Sequence, residues 1–289
     1  MANFGQKLAV ALGGIVALPL AVVGAEKVEG RLERRPLQDA CKAPTLAAAL
    51  SCLRRDGVGV VDGVVGAKLL RELKGTSVYR SMPEKTKRRV HRRGADKDLW
   101  PSSSDGRYHR REESFDAVDL KVFEGLEREL KPFVDAFFDD DAGGAGTRGV
   151  YRSELQVLNA TPGGTAQAWH RDNHSRGVTI IVPLVEFTVD NGATQLLLGS
   201  HDPANAWPAL ARRGARIAEA PVGSIIAYDS RTFHRGLGNR TDRGRPAVIF
   251  CYDREWSPPP GCGDVQSTAN AQGARFLNLA SAAWAALAP

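Results

Sequence analysis

After Tyr151 the chain becomes a succession of short apolar runs cut by turn-forming residues, and this texture limits the fold more than any other feature. The runs cover 153–158, 165–169, 178–187, 195–198, 216–219, 224–228 and 246–252. Between them lie Thr161-Pro162-Gly163-Gly164, Asp190-Asn191-Gly192 and Arg243-Gly244. Gly, Pro and Asn take backbone conformations through which a strand does not continue, and Asn-Gly favours a hairpin. Many short strands at this spacing predict a β-sandwich or barrel. There is no internal repeat.

Upstream the texture is mixed. Thr45 reads as an N-cap for a helix carrying Leu46, Leu50 and Leu53 and ending near Asp56-Gly57. Val58, Val60 and Val61 predict a strand, and Leu69, Leu70 and Leu73 a second helix stopped by Gly75. Leu120, Phe123, Leu126, Leu130, Val134 and Phe137 recur at helical spacing over 119–138. Pro132 within that stretch predicts a kink or a new start. The expected organisation is an apolar leader over 1–25, a linker over 26–44 and one domain over 45–256. That domain has a helical part at 45–138 and a β core at 150–256. A tail at 257–289 carries a short helix.

With 43% hydrophobic residues the chain is not disordered throughout. Its net charge of +6 is concentrated between 80 and 112, from Arg80 to Arg111. That stretch reads as a solvated surface loop, or as a lid drawing an anionic substrate. Its aromatics are sparse, so no nucleic-acid partner is expected. The cysteines lie near one another in pairs, Cys41 with Cys52 and Cys251 with Cys262, and no CxxC suggests a zinc ribbon. Their oxidation depends on compartment. Residues 8–25 carry no charge, follow Lys7 and end in Val23-Gly24-Ala25, which resembles a cleavage site. A secretory signal is expected. A membrane anchor through 8–25 and an organelle presequence are the alternatives.

The chemistry is concentrated in a few residues. On an extended segment, residues two apart project to the same side, so His170 and Asp172 can serve one ion. His234 follows an apolar run and supplies a third donor, and Arg245 follows it. Two imidazoles and one carboxylate on one face of an octahedron form the donor set of non-haem Fe(II) sites with open positions. An arginine grips a carboxylate with two parallel hydrogen bonds. His174, two beyond Asp172, reads as a substrate-side or surface residue, with a His-x-Asp-x-His zinc site as the alternative. His201, in Gly199-Ser200-His201, reads as a structural hydrogen-bonding residue, and His91 and His109 as solvated.

These residues resemble a known family. Gln167-Ala168-Trp169-His170-Arg171-Asp172, Asn191-Gly192-Ala193-Thr194-Gln195, Gly199-Ser200-His201, Phe233-His234-Arg235-Gly236, Asn239 and Arg245 follow the pattern of the phytanoyl-CoA dioxygenase family. Arg54-Arg55-Asp56-Gly57 before a valine-rich strand resembles it too. The likeness runs from about residue 46 to 256 and is weakest over 76–118. It implies a mainly β fold with flanking helices, a double-stranded β-helix of jelly-roll or cupin-like type forming a squashed barrel. It implies Fe(II) on His170, Asp172 and His234, with the distal carboxylate of 2-oxoglutarate on Arg245. Thr194 and Gln156 are further co-substrate contacts. The implied activity is hydroxylation of a small-molecule or lipid-like substrate by O2, releasing succinate and CO2. With Asp172 present, a halogenase variant is disfavoured. Gly223-Ser224 stands where the family often has Gly-Asp, and Leu198 where it has proline. A cupin-like metal-binding protein or isomerase without 2-oxoglutarate, and an oxygenase of protein side chains, are the competing readings.

Overall fold

The computed structural model describes residues 36–37, 41–82, 100–101, 107–111, 115–139, 144–167, 169–205 and 214–259. Alternation along the long strands sorts side chains into two layers. In β5 (Val150–Ala160), β6 (Val178–Pro183) and β11 (Arg245–Arg254), one set of alternate residues is Leu155, Val157, Val178, Ile180, Val182, Val248 and Phe250. These pack with helical residues in one core. The intervening Leu158, Ile181, Ala247, Ile249 and Cys251 pack in a second core, on the opposite face. A strand covered on both faces reads as a nearly continuous apolar run, as Val178-Thr179-Ile180-Ile181-Val182 does.

The first core is closed by helices. In α1 (Leu46–Asp56) the Thr45 hydroxyl accepts from Ala48 N, and Gly57 at φ 79° ends the helix by donating to Leu53 O. The chain then enters β2 (Val58–Val61), α2 (Ala67–Gly75) and α3 (Ser77–Arg80). Helix α4 (Ala117–Asp139) buries Phe123, Leu126, Leu130, Phe133, Val134, Phe137 and Phe138. Each such side chain contributes about 2 kcal/mol relative to exposure, so the helix holds the sheet firmly from behind. Pro132 neither stops α4 nor starts a new helix.

The larger sheet has eight strands. Its order is β1 (Lys42–Ala43), β2, β9 (Ile225–Asp229), β6, β11, β5, β4 (Arg107–Arg111) and β3 (Trp100–Pro101). All neighbours are antiparallel except β1 with β2. The smaller sheet has β10 (His234–Gly236), β7 (Thr194–Leu197) and β8 (Ala215–Ala218). Leu196, Ile217 and Ala218 from it pack against the second core, making a two-sheet, jelly-roll-type sandwich. The two sheets are not hydrogen-bonded into a closed barrel among the described residues.

Several expectations change in detail. Among the described residues, 165–167 and 169 are not in a strand; His170 makes an isolated bridge to His234. The basic stretch is not entirely loop, because 107–111 pair with β5 as a sheet strand. Part of the expected linker joins the fold: Leu37 and Cys41 are buried, and Pro36 bridges to Ile217. Cys41 and Cys52 are not joined in a disulfide, and burial beside Asp56 pushes the Cys41 thiol up to about 12. Cys251 is not in a disulfide either. No helix among the described residues is long and apolar enough to cross a membrane. The leader at 1–25, His91, Cys262 and the helix expected near the end of the chain lie outside the described residues.

Candidate metal centre

Two distant histidines meet because their backbones pair. His170 N–H donates to His234 O at 3.0 Å and His234 N–H to His170 O at 2.9 Å. This two-way antiparallel exchange sets the residues directly opposite one another, with ring centroids 4.3 Å apart. Asp172 is fixed by its own N–H, which donates to Ser230 O at 3.0 Å. Its Oδ1 lies 3.4 Å from His234 Nε2 and 3.9 Å from His170 Nε2. Ligand atoms of the three residues all lie within 4.8 Å of one another. A first-row ion bound at about 2.1 Å brings neighbouring donors to about 3 Å apart, a small side-chain rotation from these positions.

Protonation suits a cation. His234 Nδ1 lies 3.0 Å from Thr232 O. A carbonyl only accepts, so Nδ1 carries the hydrogen and Nε2 turns its lone pair toward Asp172. Burial pushes His234 down to about 4, and its ring is neutral at pH 7. Loss of solvent acts to raise the Asp172 carboxyl. The neighbouring His234 and His170, with hydroxyls of Thr179 and Tyr228, outweigh it and hold the group below the usual carboxylate range. Thr179 Oγ1 donates to Asp172 Oδ2 at 2.7 Å and Tyr228 Oη at 3.0 Å. Burial, reinforced by Asp172, pushes the Tyr228 phenol well up, so it remains a donor.

The three residues open onto a cavity of about 110 Å³ between the sheets. Arg245, Thr194 and Gln156 line it too. Arg245 is 3% exposed and its guanidinium stacks 4.1 Å over the Phe187 ring. Leu158, Ile181, Ala247 and Ile249 supply an apolar wall. The structure therefore gathers all six residues singled out from the sequence around one space.

His174 does not join the ligand group. The chain bends at Asn173, whose Oδ1 accepts from His174 N at 2.6 Å and whose Nδ2 donates to Asp253 and Ser257 O. The extended geometry that would carry His174 to the Asp172 side is thereby lost. His201 Nε2 lies 3.1 Å from Arg54 O, the structural role expected of it. Sequence reasoning missed Thr179, Tyr228 and Glu154 in the cavity wall. For Thr179 and Tyr228 the signal was a single polar side chain within an otherwise apolar run; Glu154, in a polar stretch of β5, carried no such signal.

The family model for phytanoyl-CoA dioxygenase matches residues 53–247, well over half of the chain. The chain belongs to the phytanoyl-CoA dioxygenase family. Among proteins similar in sequence, Dioxygenase trt7 of Aspergillus terreus is 34% identical over 102 residues, 31% of this chain and 36% of that protein. The iron/alpha-ketoglutarate-dependent dioxygenase ausO of Aspergillus calidoustus is 33% identical over 106 residues, 30% of this chain and 36% of that protein. These matches thus span little more than a third of the relatives' length. Of solved structures, AviO1 from Streptomyces viridochromogenes Tue57 superposes with a TM-score of 0.56 at 20% identity, over 75% of this chain and 98% of that one. The non-heme alpha-ketoglutarate-dependent epimerase SnoN from nogalamycin biosynthesis gives 0.53 at 20% identity, over 77% and 90%. This phytanoyl-CoA dioxygenase family member shares its fold with both.

Proposed function

We propose that the protein is a non-haem Fe(II)- and 2-oxoglutarate-dependent dioxygenase that hydroxylates a small-molecule or lipid-like substrate. The observation that carries this reading is a neutral His234, an ionised Asp172 and His170 converging beside a buried Arg245 in one cavity. A zinc or cupin-type site has no need of that guanidinium. Family membership supports the same reading. So does the likeness to ausO, an iron/alpha-ketoglutarate-dependent dioxygenase.

His170, Asp172 and His234 would hold the ion on one face. When bound, iron with 2-oxoglutarate and O2 supplies the oxidising power for hydroxylation, the keto acid leaving as succinate and CO2. Arg245 would grip the distal carboxylate of 2-oxoglutarate, its fork made rigid by stacking on Phe187. Thr194 and Gln156 offer hydrogen bonds along the same wall. Leu158, Ile181, Ala247 and Ile249 exclude water from the space between, which strengthens the carboxylate–guanidinium attraction. Residues 8–25 would direct the protein to the secretory pathway or a membrane, and the N-terminal sequence of the mature protein tests this.

The test of the activity is succinate release from 2-oxoglutarate with Fe(II), O2 and a reductant. The intact protein is expected to release succinate slowly without substrate, and Asp172→Ala to release none. Succinate release retained by Asp172→Ala would remove Asp172 from the metal centre.

A further inference from the structure

We infer that Tyr228 and Thr179 act as a two-hydroxyl clamp on Asp172, so that this carboxylate binds the metal through Oδ1 alone and keeps a coordination position open. This rests on reading His170, Asp172 and His234 as the metal ligands.

The clamp follows from strand register. Thr179 on β6 and Tyr228 on β9 are direct cross-strand partners. Both are polar side chains in otherwise apolar runs, Val178-Thr179-Ile180-Ile181-Val182 and Ile225-Ile226-Ala227-Tyr228, and both line the cavity. A buried hydroxyl needs a partner. Here both find the same one, Asp172 Oδ2, at 2.7 and 3.0 Å. The other carboxylate oxygen, Oδ1, faces the two Nε2 atoms.

Tyr228 Oη also lies 3.2 Å from His234 Nε2. The phenol has one hydrogen and two acceptors within reach, and the carboxylate is both nearer and charged. A cation on Nε2 uses up that lone pair and leaves Asp172 as the phenol's only acceptor of the two. Metal binding and the clamp therefore favour the same arrangement. Thr179 Oγ1 in turn has Cys251 Sγ at 3.6 Å, a much weaker acceptor than the carboxylate.

The consequence concerns coordination number. Three single-atom protein ligands leave three of six positions, and a chelating keto acid with O2 needs all three. A carboxylate free to rotate and offer both oxygens would take one of them. Hydrogen bonds that fix a ligand's orientation in this way commonly alter metal affinity by about 10- to 100-fold.

The experiment uses the full chain titrated anaerobically with Co(II), a spectroscopic stand-in for Fe(II), followed by visible absorption and calorimetry. The variants are Tyr228→Phe, Thr179→Val, the double variant and Thr179→Ser. The single removals are expected to weaken Co(II) binding about 10- to 100-fold. The double variant is expected to change the Co(II) spectrum and weaken the subsequent binding of 2-oxoglutarate. Thr179→Ser, which keeps a hydroxyl, is expected to restore the affinity and spectrum. Wild-type affinity and an unchanged spectrum in the double variant would overturn the clamp. So would losses in Thr179→Val that Thr179→Ser fails to rescue, because they would mark a packing effect. Failure of the wild-type chain to bind Co(II) would instead refute the ligand assignment beneath it.

Discussion

Replacing His234 by asparagine in the metal-free protein should flatten the dependence of stability on pH between 6.5 and about 4. His234 is 4% exposed and its ring centroid lies 4.5 Å from that of Tyr228, so a charge there has almost no access to water. The unfolded chain takes up a proton on this imidazole as pH falls through 6.5, whereas the folded chain does so only near 4. Between those values the unfolded state holds more protons, so stability falls as pH falls. The interval corresponds to about 3 kcal/mol, present in full above 6.5 and lost by about 4. In the wild type Asp172 stays ionised across the window, its carboxyl held low by His234, His170 and the hydroxyls of Thr179 and Tyr228. The assay is urea unfolding of chelator-treated wild type and His234→Asn, at pH steps from about 7.5 to about 4.5. The variant starts less stable for packing reasons, but only the slope matters. The wild type is expected to lose about 2.5 kcal/mol more than the variant between those two pH limits. Parallel curves would mean that His234 is not held neutral by burial, and the protonation argument for the metal centre would fail with it.

The remaining predictions address other parts of the molecule. Arg245→Ala would remove the two charge-assisted hydrogen bonds proposed to the distal carboxylate, together about 3 kcal/mol, so the KM for 2-oxoglutarate should rise about 100-fold with metal affinity unchanged. An unaltered KM would take Arg245 out of co-substrate binding. His174→Ala should leave metal content as in the wild type, measured by elemental analysis; lost metal would revive the zinc alternative. Gly59→Ala would put its Cβ 2.6 Å from Ala49 O on the backbone of α1 and should destabilise the fold. The expected loss is about 2 kcal/mol by urea unfolding. A Cβ at Gly75 meets nothing within 4 Å, so Gly75→Ala serves as the neutral control.

Much of this was legible in the sequence because local chemistry decided it. Thr45 and Gly57 bracket α1 as an N-cap and a left-handed C-cap do in isolation, and the structure has both. His170, Asp172, His234 and Arg245 stood out in the sequence because these chemical types have few other reasons to occur in that order, whereas Thr194 and Gln156 were named only through the family resemblance. What was not legible depends on pairing between distant strands. The run 165–169 has strand composition, yet it follows Pro162-Gly163-Gly164 and pairs with its partner only at intervals, through Gln167 N to Gly236 O and then through His170. The bend at Asn173 needs Asp253 and Ser257, which no local window contains. Thr179 and Tyr228 were invisible as a pair because only the register of β6 against β9 brings them together. The continuous apolar run around Thr179 hid which residues face the cavity, since a strand buried on both sides loses the alternation that would mark them.

The most direct measurement is anaerobic titration of the full chain with Fe(II) and 2-oxoglutarate, followed by visible absorbance. A weak charge-transfer band that requires both additions, and that is absent in Asp172→Ala, is the expected result. It would mean that the keto acid chelates an iron held by His170, Asp172 and His234. Iron bound stoichiometrically with no band on adding 2-oxoglutarate would contradict the central claim and favour a cupin-type metal site that does not use this co-substrate.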